Sequence, residues 1–312
     1  MSRIENAFLR VDNVNRIISI EELYSGTSSI YKAEVEMENS NKKTMFLKMN
    51  AYGSVSPRQF TSEIDILKFI EGHLPTPEVL GNGIIYDNPY IITEGYVPDE
   101  ENKMSAFEMG KECGSVAYEI SHIGLPETDM FGRIIEINSQ EVSLDEDTYH
   151  WDSFLRRYCD KKFGFIKNRN NKYFDISTVQ ELVDDIYEES MGIDKEPEKK
   201  LIHGDFREGN IIWGEYSIRC VLDWERSFIG HDIFLLVSTR EFYTKGKSSE
   251  WSESFTQGLY DGWGGDLPTE EEERLYSKIK YLDEICGFPI WWDDDQKEKR
   301  KEEIKETLGV DS

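Results

Sequence analysis

The sequence predicts an α+β chain in two lobes: a small, mainly antiparallel β lobe carrying one helix, then a larger and mostly helical lobe. Three observations lead there. The chain has 312 residues, which at about 150 residues per domain is enough for two lobes. Its first ninety or so residues alternate apolar and polar with period two, as half-buried strands do. Beyond residue 100 the apolar residues recur at helical spacing instead.

The elements follow in order. Ile17, Ile18 and Ile20 run into Leu23 and Tyr24, small residues interrupt at 25–29, and alternation resumes over 30–35. That pattern is a strand, a turn and a second strand. Residues 44–49 read as a third strand. Phe60, Ile64 and Leu67 share one helical face, so a helix spans 58–71, and Pro75 and Pro77 end it. Residues 84–86 and 90–92 form a hairpin across Asp87-Asn88-Pro89. Residues 95–100 are a linker, dividing the chain into lobes 1–95 and 96–312. Helices are expected over 104–122, 150–163, 176–190, 232–244, 250–262 and 270–285, with short strands at 211–213 and 219–222. The tail at 293–306 reads as a charged, solvated helix.

Composition narrows the function. Hydrophobic residues make up 38% and charged ones 31%, an ordinary globular balance that excludes a fibrous or disordered chain. Acids outnumber bases 62 to 36, for a net charge of −26. Such a field repels a phosphate backbone, so no nucleic-acid partner is expected. The acid excess serves solubility or a salty cytosol, and it weakly attracts small cations. Cys113, Cys159, Cys220 and Cys286 show no C-x-x-C spacing and read as buried thiols of a cytosolic protein. The N-terminus has no apolar signal region and no apolar run approaches a membrane span, so the expected location is cytoplasmic, with no membrane partner. No obligate protein partner is evident.

The chemistry concentrates in His203-Gly204-Asp205-Phe206-Arg207-Glu208-Gly209-Asn210, followed by Val221-Leu222-Asp223-Trp224-Glu225. A loop holding Asp205 and Asn210 beside a strand end holding Asp223 brings three oxygen-bearing side chains together. Hard oxygen donors of this kind suit Mg²⁺. A Walker A loop is excluded, because Glu241 stands where the first glycine before Gly246-Lys247-Ser248 is required.

The His-Gly-Asp form with Asp-Trp-Glu following resembles the aminoglycoside phosphotransferase and choline kinase family, of protein-kinase-like fold, over roughly residues 17 to 265. The resemblance implies an Mg²⁺-dependent small-molecule kinase. Asp205 is its catalytic residue, and Asn210 and Asp223 are its metal ligands. Lys48, in an otherwise apolar strand, is implied to contact the α- and β-phosphates of ATP, or of GTP as the alternative. Glu63 orients it, with Asp65 as a nearby rival. By the same resemblance, the turn holding Gly26, Thr27 and Ser28 is implied to cover the phosphates. Thr93 is implied to line the adenine pocket, and the Glu94 carbonyl and Tyr96 N–H to bond the base. Asp232 is implied to brace the catalytic loop, and His203 is a structural member of it. Arg207 either assists the transferring phosphoryl or pairs with Glu208 at the surface, the surface pair being favoured.

The partner implied is a small-molecule hydroxyl acceptor. An aminoglycoside-like or other amino/hydroxyl compound comes first, and a metabolite such as choline, homoserine or a sugar second. Trp251, Trp263, Trp291 and Trp292 either face such a substrate or pack the core. A nucleotide-binding pseudokinase is disfavoured because Lys48, Asp205, Asn210 and Asp223 are all present. A protein kinase is disfavoured by the absence of a D-F-G and A-P-E pair.

Overall fold

The computed structural model describes residues 2–25, 28–50, 57–95, 102–168 and 174–287. A short helix α1 (Arg3–Phe8) precedes three long strands, β1 (Val14–Ser25), β2 (Ser28–Met37) and β3 (Lys42–Asn50). Helix α2 (Pro57–Phe69) follows, then β4 (Val79–Ile85) and β5 (Asn88–Glu94). These strands form one antiparallel sheet of order β1-β2-β3-β5-β4. The expected strands, helix and hairpin are all there; α1 is an addition that the alternation did not signal.

The pleat sorts the two faces of this sheet. Met45, Leu47 and Ile92 point to a small core shared with Ala7 and Phe8 of α1. Lys48 and Ile91, paired across β3 and β5, point to the opposite face, where α2 packs. Phe60, Ile64 and Leu67 of α2 join Ile91 in a second core, continuous with the core of the following lobe.

That lobe begins with α3 (Ala106–Ser121), whose start is fixed by a capping box between Ser105 and Glu108. Strands β6 (Phe131–Ile137) and β7 (Val142–Thr148) follow, then α4 (Trp151–Asn168), α5 (Ile176–Ser190) and β8 (Lys200–Ile202). Next come β9 (Ile211–Trp213), β10 (Ile218–Val221) and β11 (Phe228–Gly230), and finally α6 (Asp232–Thr244), α7 (Ser249–Gly262) and α8 (Glu270–Cys286). Each of the six expected helices lies within a few residues of its place. The sheet of order β7-β6-β11-β8 was not anticipated: its seven-residue β6 and β7 were missed, and its other two strands are only three residues long. Such strands are too short to show a period. The tail at 293–306, with Trp291 and Trp292, lies outside the described residues.

Helices α3 and α7 meet through glycines. A Cβ on Gly110 would stand 2.0 Å from the Phe255 carbonyl oxygen, and one on Gly114 2.1 Å from that of Leu259. Gly258 and Gly262 face Phe107 and Lys111 as closely. Backbone touches backbone here, so any side chain would force the helices apart. Trp263 is buried beside this contact and Trp251 stacks on Phe255, so both tryptophans pack the core.

Candidate active site

Strand β8 delivers the chain to His203, Gly204 and Asp205. Gly204 has φ of +79°, and a Cβ there would lie 2.3 Å from the Arg226 carbonyl oxygen, so both conformation and space require glycine. His203 is fully buried against Trp224. Its Nε2 donates to the Leu222 carbonyl at 2.9 Å, and its Nδ1 accepts from the Asp205 N–H at 3.2 Å. Burial pushes its pKa down to about 4, against the pull of Asp205, so the ring is neutral at pH 7. It is a bracket that ties Asp205 to the strand leading into Asp223.

Asp205 is held on both oxygens. Asn210 Nδ2 donates to Oδ2 at 3.0 Å and to the Asp205 carbonyl at 2.8 Å. Arg207 Nε lies 3.0 Å from Oδ1. The expected surface pair of Arg207 with Glu208 is therefore corrected. The single turn at Glu208–Asn210 brings Arg207 back over Asp205, while Glu208 lies 3.9 Å from Lys247. The Asn210 carbonyl in turn accepts from the Leu222 N–H at 2.8 Å, joining the loop to the residue before Asp223.

Asp223 sits at φ +63°, ψ +57°, a left-handed conformation that costs a non-glycine residue about 1 kcal/mol or more. The bend turns its carboxylate toward the first lobe, where Oδ1 meets Lys48 Nζ at 2.6 Å. Glu63 reaches the same nitrogen at 2.9 Å and Glu225 at 3.1 Å. Glu63, and not Asp65, is thus the helix partner of Lys48. Glu225 was missed as a third partner, although its place two residues after Asp223 on a one-turn helix was the available signal. Burial pulls the Lys48 ammonium down, and the three carboxylates, Glu63 foremost, more than reverse it, so it stays charged. Burial raises the Glu63 carboxyl above the usual carboxylate range despite Lys48, with Asp223 and Glu225 adding to the rise. Asp223 is held below that range because Lys48 outweighs the effect of burial.

The remaining expected positions are placed as follows. Ser28 is buried at the start of β2. Thr93 pairs with Phe46 on the sheet face that carries Lys48. The Glu94 N–H donates to the Glu78 carbonyl, and its side chain meets Lys43 at 3.1 Å. Gly26, Thr27 and Tyr96 lie outside the described residues. Asp232 bonds the N–H of Ile233 at the start of its own helix and lies 3.6 Å from His231.

The donor set fits a divalent cation held jointly with a nucleotide. Both bonds of the Asn210 amide nitrogen run to Asp205, which leaves its oxygen as the atom available to a metal, and Asp223 adds a carboxylate. Among the described residues no three His, Cys, Asp or Glu side chains form a self-sufficient cage. Mg²⁺ uses one or two protein oxygens and takes the rest from phosphates and water.

The fructosamine kinase family model matches residues 12–233, which include every residue of this cluster. The chain belongs to the fructosamine kinase family. It has a protein-kinase-like α+β fold. It is 34% identical over 100 residues to acyl-CoA dehydrogenase family member 11 of Homo sapiens; the match takes in 31% of the kinase but only 12% of that relative's length. Among solved structures it resembles a thermostable mutant of aminoglycoside phosphotransferase APH(4)-Ia, in ternary complex with AMP-PNP and hygromycin B. The TM-score is 0.68 at 15% identity, covering 98% of this chain and 99% of that one. A putative fructosamine-3-kinase from Haemophilus somnus 129PT follows, with TM-score 0.64 and 14% identity over 92% and 91% of the two chains. At such identities the likeness shows the fold. No helix among the described residues is long and apolar enough to cross a membrane.

Proposed function

We propose that this kinase transfers the γ-phosphoryl group of ATP to a hydroxyl of a small polyhydroxylated compound, with Asp205 as the catalytic residue. The nucleotide lies between lobes 1–95 and 96–312. Lys48, oriented by Glu63, holds its phosphates, while Ser28, with Gly26 and Thr27, covers them. Thr93 and the backbone of Glu94 and Tyr96 receive the base. Asn210 and Asp223 would hold Mg²⁺, which would supply positive charge to neutralise the phosphates.

Asp205 accepts a hydrogen bond from the acceptor hydroxyl and aligns its oxygen with phosphorus. The oxygen–phosphorus bond forms as the bond to the bridging oxygen of ADP breaks, and the hydroxyl proton leaves by way of Asp205. The transition state is loose, so alignment and charge neutralisation carry most of the rate. Asn210 keeps the Asp205 carboxylate in place, and neutral His203 fixes its main chain.

The observation that carries this reading is one continuous bonded chain. It runs from Glu63 through Lys48 to Asp223, and from Leu222 beside it through Asn210 and His203 to Asp205. The test is ADP release from Mg-ATP across a panel of acceptors: fructosyl-lysine, hygromycin B, kanamycin, choline, homoserine and simple sugars. Turnover should depend on one class of acceptor and fall by about 10² or more in Asp205→Asn. Full turnover in that variant would remove Asp205 from the role.

A further inference from the structure

Arg207 has no task in the transfer described above, yet it touches the residue at the centre of it. Its Nε lies 3.0 Å from Asp205 Oδ1, and among the described residues Arg207 is the only cation ion-paired with Asp205. The local chain builds this contact. Arg207 is extended, and its carbonyl accepts the Asn210 N–H at 2.8 Å. The turn that aims Asn210 at Asp205 therefore also sets the root of the Arg207 side chain. Gly209 in that turn leaves the guanidinium its room: Nη1 and Cζ lie 3.8 and 4.0 Å from where a Cβ would stand. Glu208, the nearest acid in sequence, lies 3.9 Å from Lys247 instead. The Arg207 side chain is half exposed, so a ligand can reach it. A guanidinium has five N–H donors, and among the described residues the terminal nitrogens of Arg207 make no hydrogen bond.

Positive charge is scarce where a phosphate must be held. Lys48 already meets Glu63, Asp223 and Glu225, so its charge is balanced before a phosphate arrives. Asp205 adds a fourth carboxylate, at the place where the γ-phosphoryl meets the acceptor oxygen. Two anions brought together there repel each other unless a cation lies between them. A phosphorus aligned with an oxygen bonded to Asp205 is within reach of a side chain that touches the same carboxylate. Arg207 is that side chain. Its charge is also felt at Asp223, where burial raises the carboxyl, Lys48 overcomes this, and Arg207 adds to the lowering.

We propose that Arg207 is a second catalytic residue, which keeps Nε on Asp205 while its terminal N–H groups bind the γ-phosphoryl during transfer. This rests on the kinase reading above. Arginine suits the task because its planar fork binds two phosphate oxygens at once. It screens the phosphoryl from Asp205 and neutralises charge on the oxygens that do not react. The guanidinium stays charged and moves no proton; the hydroxyl proton still leaves by way of Asp205. An anionic group on the acceptor is the other source of an oxyanion at this place. The binding test is run without acceptor to separate the two.

Titration calorimetry measures Mg-ADP and Mg-AMP-PNP binding to the native kinase, Arg207→Gln and Arg207→Lys. Mg-AMP-PNP carries a γ-phosphoryl group and Mg-ADP does not. Arg207→Gln should weaken Mg-AMP-PNP by about tenfold or more, and Mg-ADP by less than about threefold. Arg207→Lys should recover part of that loss, because a point charge still meets the phosphate. With the acceptor that turns over, Arg207→Gln should lower kcat by about 10² or more and change the acceptor KM less than about threefold.

Equal weakening of both nucleotides, or loss of both, would assign Arg207 to holding the loop and overturn the proposal. Native affinity of Arg207→Gln for both nucleotides would overturn it as well, and would leave the kinase reading intact. Failure of the native protein to bind either nucleotide would sink the kinase reading and the role of Arg207 with it.

Discussion

Replacing Lys48 by methionine should destabilise the free kinase far more than replacing Glu63 by glutamine, although the two side chains form one ion pair. Lys48 Nζ lies 2.9, 2.6 and 3.1 Å from Glu63, Asp223 and Glu225. At an effective dielectric of about 20, each contact is a gross attraction of about 5–6 kcal/mol, before desolvation and repulsion among the carboxylates. Lys48→Met removes all three attractions and leaves the repulsions. Stranding buried charge in this way costs about 3–5 kcal/mol. Glu63→Gln removes one attraction, but it also relieves the repulsion of Glu63 by its neighbours and the burial of its charge. Lys48 keeps Asp223 and Glu225, so the expected cost is only about 0–1.5 kcal/mol.

Urea unfolding at pH 7.5 and low salt measures both. Lys48→Met should also regain stability as pH falls, because the stranded carboxylates protonate. Equal destabilisation by the two substitutions, or a Lys48→Met protein as stable as the native one, would refute this view of the cluster.

Other outcomes follow from the same geometry. Gly114→Ala places a Cβ 2.1 Å from the Leu259 carbonyl oxygen, and overpacking of this kind should cost about 2–3 kcal/mol in urea unfolding; an unchanged midpoint would contradict the backbone contact. His203 takes up its proton near 6.5 when unfolded but only near 4 when native. Its contribution is therefore present above pH 6.5 and lost as pH falls from 6.5 to 4, by about 3 kcal/mol at most. Stability against pH in His203→Gln should lack that slope, and identical slopes would show that the ring does not titrate in this way. Asp223→Asn should weaken ATP binding about tenfold or more in Mg²⁺ but little in EDTA, read by titration calorimetry. An equal loss in both buffers would place Asp223 outside the metal site.

Much of this architecture could be read from side-chain period. Lys48 stands out because a charged residue interrupts an apolar strand, and alternation alone sends it to the face away from Leu47. The spacing of Asp205, Asn210 and Asp223 signals a loop and a strand end that converge. What could not be read depends on contacts distant in sequence or on very short elements. Strands β8 and β11 have three residues each and carry no period, and the seven-residue β6 and β7 were also missed, so their sheet was not read. Arg207 turns to Asp205 because the Glu208–Asn210 turn reverses the chain, which nearest-neighbour pairing does not capture. Glu225 joins Lys48 only through the left-handed bend at Asp223.

Asp205, Asn210, Asp223 and Lys48 are proposed to form one phosphoryl-transfer site. Phosphorus NMR of the native protein incubated with Mg-ATP and its best acceptor tests it most directly, with Asp205→Asn alongside. A new phosphate-ester resonance should rise as the γ-phosphate signal falls, and Asp205→Asn should bind Mg-ATP normally yet form the ester about 10² times more slowly or worse. Appearance of inorganic phosphate alone, or ester formation at the native rate in the variant, would contradict it.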